Sequence, residues 1–321
     1  MRLALFLVLA ALGLFAQDAA TFRSDIALVH ADLEVTDGGR ILTGFHREDF
    51  VALDNGQPQN ILYFSQDEEP LDVILLFDIS GSMRPNVARV AASAQAAFSE
   101  LRPGDRVAVM TFQNRSRIVA AFSEDLGAVQ RTIQQDVVEG KFRGGTRLLA
   151  GVDDAAKYFL DQPKTRRRRA VLILTDNFGQ RSRRSSTVVH HLWEADASLS
   201  GLIIRSPAET ALNTAATVMN PAVGLLLREG MQGVAEKTGG DTIKADDPGQ
   251  AFQEMMRRIR LRYSLYYAMP AAQPGEERQV KVELSAGALQ RFPQARVRSR
   301  KGYQVPGQNL TRQGPNPAVI R

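Results

Sequence analysis

Asp78, Ser80 and Ser82 stand at alternate positions directly after Leu71–Phe77, a run that is apolar apart from Asp72. Such a run reads as a strand buried on both faces of a parallel sheet. One carboxylate and two hydroxyls at its carboxyl end make the beginnings of a hard-cation site. Open α/β sheets bind their ligands at that edge, and oxygen donors suit Mg²⁺, with Mn²⁺ or Ca²⁺ as substitutes. Two more polar interruptions fall where further ligands belong. Thr146 follows Gly144-Gly145 in the loop before a helix at Leu148, and Asp176 follows the buried run Ala170–Leu174. Two carboxylates would balance a divalent charge, and neutral hydroxyls would leave the ion electrophilic. Octahedral Mg²⁺ under so incomplete a shell keeps water-filled positions. Any one of the five residues alone reads as a cap or turn former. All five in order read as a metal site.

The D-x-S-x-S, Thr, Asp order resembles the metal-ion-dependent adhesion site of von Willebrand factor A (VWA) domains, over residues 70–262. The resemblance implies Ser80, Ser82 and Thr146 as direct ligands, with Asp78 and Asp176 acting directly or through water. It also implies that a carboxylate from a protein partner completes the coordination. Gly81, Gly144 and Gly145 are expected to let the backbone crowd the ion. The flanks resemble the acidobacterial VWFA-related secreted proteins. The carriers are Gly44-Phe45, Asp49-Phe50, Asp54-Asn55-Gly56, Gln59-Asn60-Ile61 and Phe64, then Tyr263, Tyr266-Tyr267, Val280-Lys281-Val282 and Arg300-Lys301-Gly302-Tyr303. Asn177 departs from the Gly often found after the final Asp.

Other chemistry has little footing. There is no cysteine, so disulfides, thiolate metal sites, a Cys nucleophile and a lipid anchor on Cys are excluded. No G-x-G-x-x-G follows the first buried strand and no G-x-x-x-x-G-K-[ST] occurs, which argues against nucleotide binding. No G-x-S-x-G elbow appears. His190-His191 lacks an H-E-x-x-H pattern and reads as surface or packing, while Asp153-Asp154 and Glu68-Glu69 read as solvated charges. The net charge is +5 with a pI near 9.6, and the densest basic run is Arg166–Arg169. Without interleaved aromatics that run reads as a solvated loop.

The elements that must hold the five residues follow from periodicity. Strands alternate with helices through the middle of the chain, which predicts a Rossmann-like, doubly wound, mostly parallel sheet. Val87, Val90, Ala91, Ala94 and Phe98 recur at helical spacing. Helices are expected over Leu126–Val138, Leu148–Phe159, around Val188–Trp193 and over Leu225–Lys237. A last one is capped by Asp247 with Pro248 at its first position. Strands are expected at Arg106–Phe112, Ile118–Phe122 and Ser200–Ile204, and a polar loop at 206–221. On either side, residues 21–66 and 263–305 alternate apolar and polar and are expected to form one small β-sandwich together, since neither set buries a core alone.

Met1-Arg2 and the apolar stretch Leu3–Phe15 read as a signal peptide over residues 1–16, the stretch being shorter than the ~20 residues of a membrane-spanning helix. Residues 306–321 lack periodicity and read as a disordered tail. The whole reads as an exported, periplasmic or extracellular, non-enzymatic protein that binds an acidic side chain of a protein partner through a divalent ion. Nucleic acid is not expected as a partner, nor is a transmembrane segment in the mature chain. The alternatives are an envelope scaffold with a non-essential metal site and, behind it, a metal-dependent hydrolase.

Overall fold

The computed structural model describes residues 27–66, 68–142, 145–163, 165–176, 184–204 and 230–307. The expected signal peptide, the loop at 206–221, the first turn of the helix expected from Leu225, Asn177 and the tail beyond 307 lie outside them.

Residues 28–66 supply β1 (Leu28–Asp37), β2 (Arg40–Ile41), β3 (Phe50–Asp54), β4 (Gln57–Gln59) and β5 (Ile61–Gln66). Asn55 and Gly56 turn β3 into β4 with φ of 45° and 78°, the left-handed geometry of a two-residue hairpin. The chain then enters β6 (Leu71–Asp78), where all eight residues are buried. There follow α1 (Arg84–Ala92), α2 (Ala94–Phe98), β7 (Arg106–Phe112), β8 (Ser116–Ser123) and α3 (Leu126–Thr132). Next come α4 (Leu148–Leu160), β9 (Arg168–Thr175), α5 (Ser185–Glu194), β10 (Ala197–Ile204), α6 (Met231–Thr238), β11 (Thr242–Ala245) and α7 (Pro248–Arg260). The end of the described chain adds β12 (Tyr263–Ala268), β13 (Glu277–Leu284), α8 (Ala286–Arg291), β14 (Arg296–Ser299) and β15 (Gly302–Gln304). The helix expected over Leu126–Val138 is α-helical only to Thr132 and continues as a π turn through Ile133–Val138.

The central sheet has the order β11-β10-β9-β6-β7-β8. Its neighbours are parallel except β7 and β8, which run antiparallel. From β6 the chain steps to β7 on one side and later returns to β9 on the other. The crevice between the carboxyl ends of β6 and β9 is therefore the topological switch point. One face of the sheet packs on α1, α2 and α7 through Val87, Val90, Phe98, Phe252, Met255 and Ile259. The other packs on α4, α5 and α6 through Val152, Phe159, Val188, Leu192 and Val234. Burial on both faces is why β6 and β9 are nearly uninterrupted apolar runs, each large side chain contributing ~2 kcal/mol.

The flanking strands form two antiparallel sheets, each mixing both ends of the chain. One has the order β14-β1-β12-β5 and the other β15-β13-β3-β4. Val29, Ala31 and Leu33 of β1 share a third core with Phe45, Phe50, Tyr263, Leu265, Val280 and Val282. Asp54 is fully buried there, accepting hydrogen bonds from the Tyr267 and Tyr303 hydroxyls, both at 2.9 Å, and from Arg278. The short helix α8 was not legible in a stretch that reads as strand and turn.

Of the basic run 166–169, which reads as a solvated loop, only Arg166 is exposed. Arg168 and Arg169 open β9 and are 2 % and 7 % exposed. They lie at the amino edge of the sheet, where the helices that cover it end. Arg168 donates to the Ile259 and Arg260 carbonyls of α7 and pairs with Asp32 of β1 at 3.0 Å. Arg169 donates to the carbonyls of Phe159, Ala195 and Pro163. Arg262 joins Asp32 at 2.7 Å and the Gly239 carbonyl behind α6. Burial pushes the Asp32 carboxyl up, but Arg168 and Arg262 outweigh it and hold it below the usual carboxylate range. Glu69 and Asp153 are likewise not solvated charges. Glu69 accepts from Ser264 and Tyr266. Asp153 is buried in α4, taking Lys157 at 2.8 Å and His191 at 2.6 Å.

Candidate functional site

Asp78 is the last residue of β6 and is wholly buried. Its Oδ1 accepts the Ser80 backbone N–H at 2.9 Å, which bends the chain out of the strand. The same oxygen faces the Thr146 hydroxyl at 3.4 Å, and Oδ2 accepts the Thr175 hydroxyl at 2.7 Å. Ser80 then precedes a 3₁₀ turn, Gly81–Met83, that leads into α1. Ser82 Oγ lies 3.3 Å from Ser80 Oγ and donates to Asp176 Oδ2 at 2.5 Å. Thr146 is brought in by the approach to α4, where the Arg147 N–H is held by the Gln113 carbonyl at the end of β7. Asp176 directly follows β9.

The five residues singled out from the sequence therefore lie in one connected set of hydrogen bonds at the switch point. Asp78, Ser80, Thr146 and Asp176 are buried, and Ser82 is exposed at the mouth. Gly144 lies outside the described residues. Around the other two glycines the described protein atoms leave room. A Cβ on Gly81 would have nothing within 4 Å, and one on Gly145 would meet only Asn114 Oδ1 at 3.8 Å. The space beside the turn is open.

Thr175 was missed by the motif and is a direct partner of Asp78. Its signal was present as the polar residue before Asp176, but a Thr inside a β-branched run reads as strand composition. Two carboxylates with no Arg or Lys paired to Asp78 among the described residues is an unusual thing to bury. Burial pushes the Asp78 carboxyl up to about 6, against the hydrogen bonds from Thr175 and Ser80, and the nearby Asp176 charge adds to the rise. Among the described residues Asp78 lacks what normally compensates a buried carboxylate, namely an opposite charge. Its donors are all oxygen, the donor chemistry of a hard divalent cation. No group of three or more His, Asp or Glu side chains placed to hold a metal occurs among the described residues. Hydroxyls therefore make up the majority of this set.

Residues 73–180 match the family model of the von Willebrand factor type A domain. The match opens in β6 and spans all five residues, and the sheet continues beyond it to β11. The mostly parallel sheet with its helices is thus the core of a VWA domain, to which the chain adds the two antiparallel sheets. Similar solved structures include a von Willebrand factor type A protein from Catenulispora acidiphila, 13 % identical, with 93 % of this chain and 79 % of that one covered and a TM-score of 0.45. BatB from Bacteroides thetaiotaomicron is 18 % identical over 59 % of this chain and 97 % of that one, with a TM-score of 0.45. Proximal thread matrix protein 1 from the mussel byssus, in a form with a zinc-occupied MIDAS motif, is 12 % identical over 64 % and 49 %, with a TM-score of 0.46. Among curated proteins no match is found. Among the described residues no helix is long and apolar enough to cross a membrane.

Proposed function

We propose that this chain is an exported VWA-domain protein that binds a protein partner through a divalent cation, Mg²⁺ by preference, held by Asp78, Ser80, Ser82, Thr146 and Asp176. The observation that carries the reading is Asp78 itself. A wholly buried carboxylate with only neutral donors around it among the described residues stands next to a second carboxylate, and a bound cation would relieve its charge. One acidic side chain of the partner would complete the coordination at the open mouth beside Ser82. The flanking motifs from Gly44 to Phe64 and from Tyr263 to Tyr303 support placing the chain among the acidobacterial VWFA-related secreted proteins, and the apolar stretch after Arg2 supports export. The five side chains bind and orient; they supply no separate general base, so the reading is a binding module and not an enzyme.

Titration with Mg²⁺ and Mn²⁺ by calorimetry tests it. Wild type is expected to bind one ion with release by EDTA, and Asp78→Ala is expected to show no binding heat while keeping its circular dichroism spectrum. Equal heats for the two proteins overturn the reading. Fractionation of cells producing the full chain tests export: recovery only in the cytoplasm, at full length, refutes it.

A further inference from the structure

The loops that assemble the site carry more positive charge than the site needs. Arg84 is the first residue of α1, directly after Ser82-Met83, and is exposed. Its guanidinium reaches the Gly140 carbonyl at 3.5 Å and lies 5.2 Å over the Phe142 ring, so two of the loops meet there. Lys141 follows Gly140, Arg147 follows Thr146, and Arg115 sits in the turn that ends β7, one loop away from Arg147. All three are exposed, and none has a side-chain hydrogen bond or ion pair to a described residue. On the same segments the acids outside the site are Asp136 and Glu139. The buried arginines of this protein, Arg168, Arg169, Arg262 and Arg300, are ion-paired or bonded to carbonyls, whereas exposed ones such as Arg117 and Arg131 stand in solvent. What sets Arg84, Arg115, Lys141 and Arg147 apart is their place, on the loops that carry Ser82 and Thr146 or on the turn hydrogen-bonded to them.

We infer that Arg84, Arg115, Lys141 and Arg147 form a basic rim that selects a polyacidic protein segment, one acid going to the centre and its neighbours in sequence to the rim. The inference rests on the proposed metal site for its central contact. A lone carboxylate would use the centre and leave the rim idle; an extended acidic segment, with side chains reaching to either side of the chain, uses both. Exposed charges of this kind act chiefly by steering encounter and by rejecting like-charged partners. A single-stranded nucleic acid is disfavoured because the described aromatic on these loops, Phe142, has Arg84 over its ring and is partly buried against the core.

The test uses the full chain and a fluorescein-labelled octaglutamate peptide followed by anisotropy, with stopped-flow association rates, in Mg²⁺ and in EDTA. The triple variant Arg115→Ala/Lys141→Ala/Arg147→Ala leaves the five central residues intact, and its fold and Mg²⁺ heat are checked against wild type. The expected result is binding of the peptide by wild type in Mg²⁺. The triple variant should bind about tenfold more weakly with unchanged Mg²⁺ heat, each exposed pair contributing a few-fold. The loss should lie mainly in the association rate and shrink at high salt. Peptide binding equal in the two proteins, or absent in wild type, overturns the rim. Tighter binding of a labelled oligothymidylate than of octaglutamate overturns the choice of partner. If the rim is right and the metal reading wrong, binding is lost in the triple variant but indifferent to EDTA. If the metal reading is right and the rim wrong, binding is lost in EDTA but indifferent to the triple variant.

Discussion

The two edges of the central sheet solve opposite electrostatic problems. At the amino edge the covering helices end, and their last carbonyls, among them Phe159, Ala195, Gly239, Ile259 and Arg260, collect in a partial negative zone. Buried arginines answer it. Arg168, Arg169 and Arg262 donate to those carbonyls, and Arg168 and Arg262 go on to Asp32 of the flanking sheet. Arg300 does the same with the Trp193 carbonyl and Asp196. Each of these buried charges has its partner inside the protein. At the carboxyl edge Asp78 is buried just as deeply but among the described residues meets only hydroxyls and an amide. One edge is closed to solution chemistry because its charges are satisfied; the other is left incomplete, which is what a binding edge requires.

The contrast predicts opposite outcomes for removing one charge at each edge. Arg168→Leu strands the Asp32 carboxylate with half its partners and leaves two helix-end carbonyls unmet. Loss of one member of a buried pair costs ~3–5 kcal/mol, so urea unfolding should show a fall of that order. A loss below ~1 kcal/mol would mean that the amino edge is solvated and the contrast false. Asp78→Asn should instead stabilise the metal-free protein, by ~2 kcal/mol, because it removes a buried charge that no cation among the described residues opposes. The same variant should lose the rise in melting temperature that Mg²⁺ is expected to give wild type. A destabilised metal-free Asp78→Asn would break the comparison at its other end.

What could be read from the sequence divides along the same line. The carboxyl edge was legible because a hydrogen-bonding residue that interrupts an apolar run stands out, and Asp78, Ser80, Ser82, Thr146 and Asp176 each did so at a strand or helix boundary. The sheet was legible because burial on both faces leaves a run such as Leu71–Phe77 no polar alternation. The amino edge was not. Four adjacent arginines look solvated, and nothing local announces that helix ends distant in sequence, at Phe159, Ala195 and Ile259, will collect around Arg168 and Arg169. Glu69 and Asp153 were misread for the same reason, since their partners Tyr266 and His191 lie far along the chain. The flanking strands were visible by alternation, but α8 was hidden because a two-turn helix carries too little periodicity to separate from a turn.

Thr175 offers a finer test of the carboxyl edge. Its hydroxyl holds Asp78 Oδ2 at 2.7 Å, so it would orient the carboxylate without touching an ion. Thr175→Val keeps the shape and removes the donor, a change worth ~1 kcal/mol for a buried hydrogen bond. Support of this kind behind a metal ligand typically alters affinity about tenfold or more. Calorimetry should therefore show weakened Mg²⁺ binding in Thr175→Val and recovery in Thr175→Ser. Unchanged affinity in Thr175→Val would mean that the carboxylate is fixed by Ser80 alone.

The smallest effect belongs to the amino edge and is read by pH. His30 of β1 is buried, stacked 4.6 Å from Tyr266, with Nδ1 donating to Asp196 at 2.8 Å. Its Nε2 has no hydrogen-bond partner among the described residues. Burial pulls the imidazole pKa down, yet the Asp196 carboxylate, helped by the charges of Glu69 and Asp32, outweighs burial and raises it above its ordinary value. Arg300, the cation that meets the His30 carbonyl, is itself paired to Asp196. A histidine whose folded pKa exceeds its unfolded value stabilises the fold fully below about 6.5, and that contribution fades as pH rises through the folded value. Urea midpoints should therefore decline above pH 6.5 in wild type and decline less in His30→Asn, the other histidines cancelling in the difference. Parallel profiles would show that the charge on His30 is not what couples β1 to Asp196. The amino edge would then be held by its arginines alone.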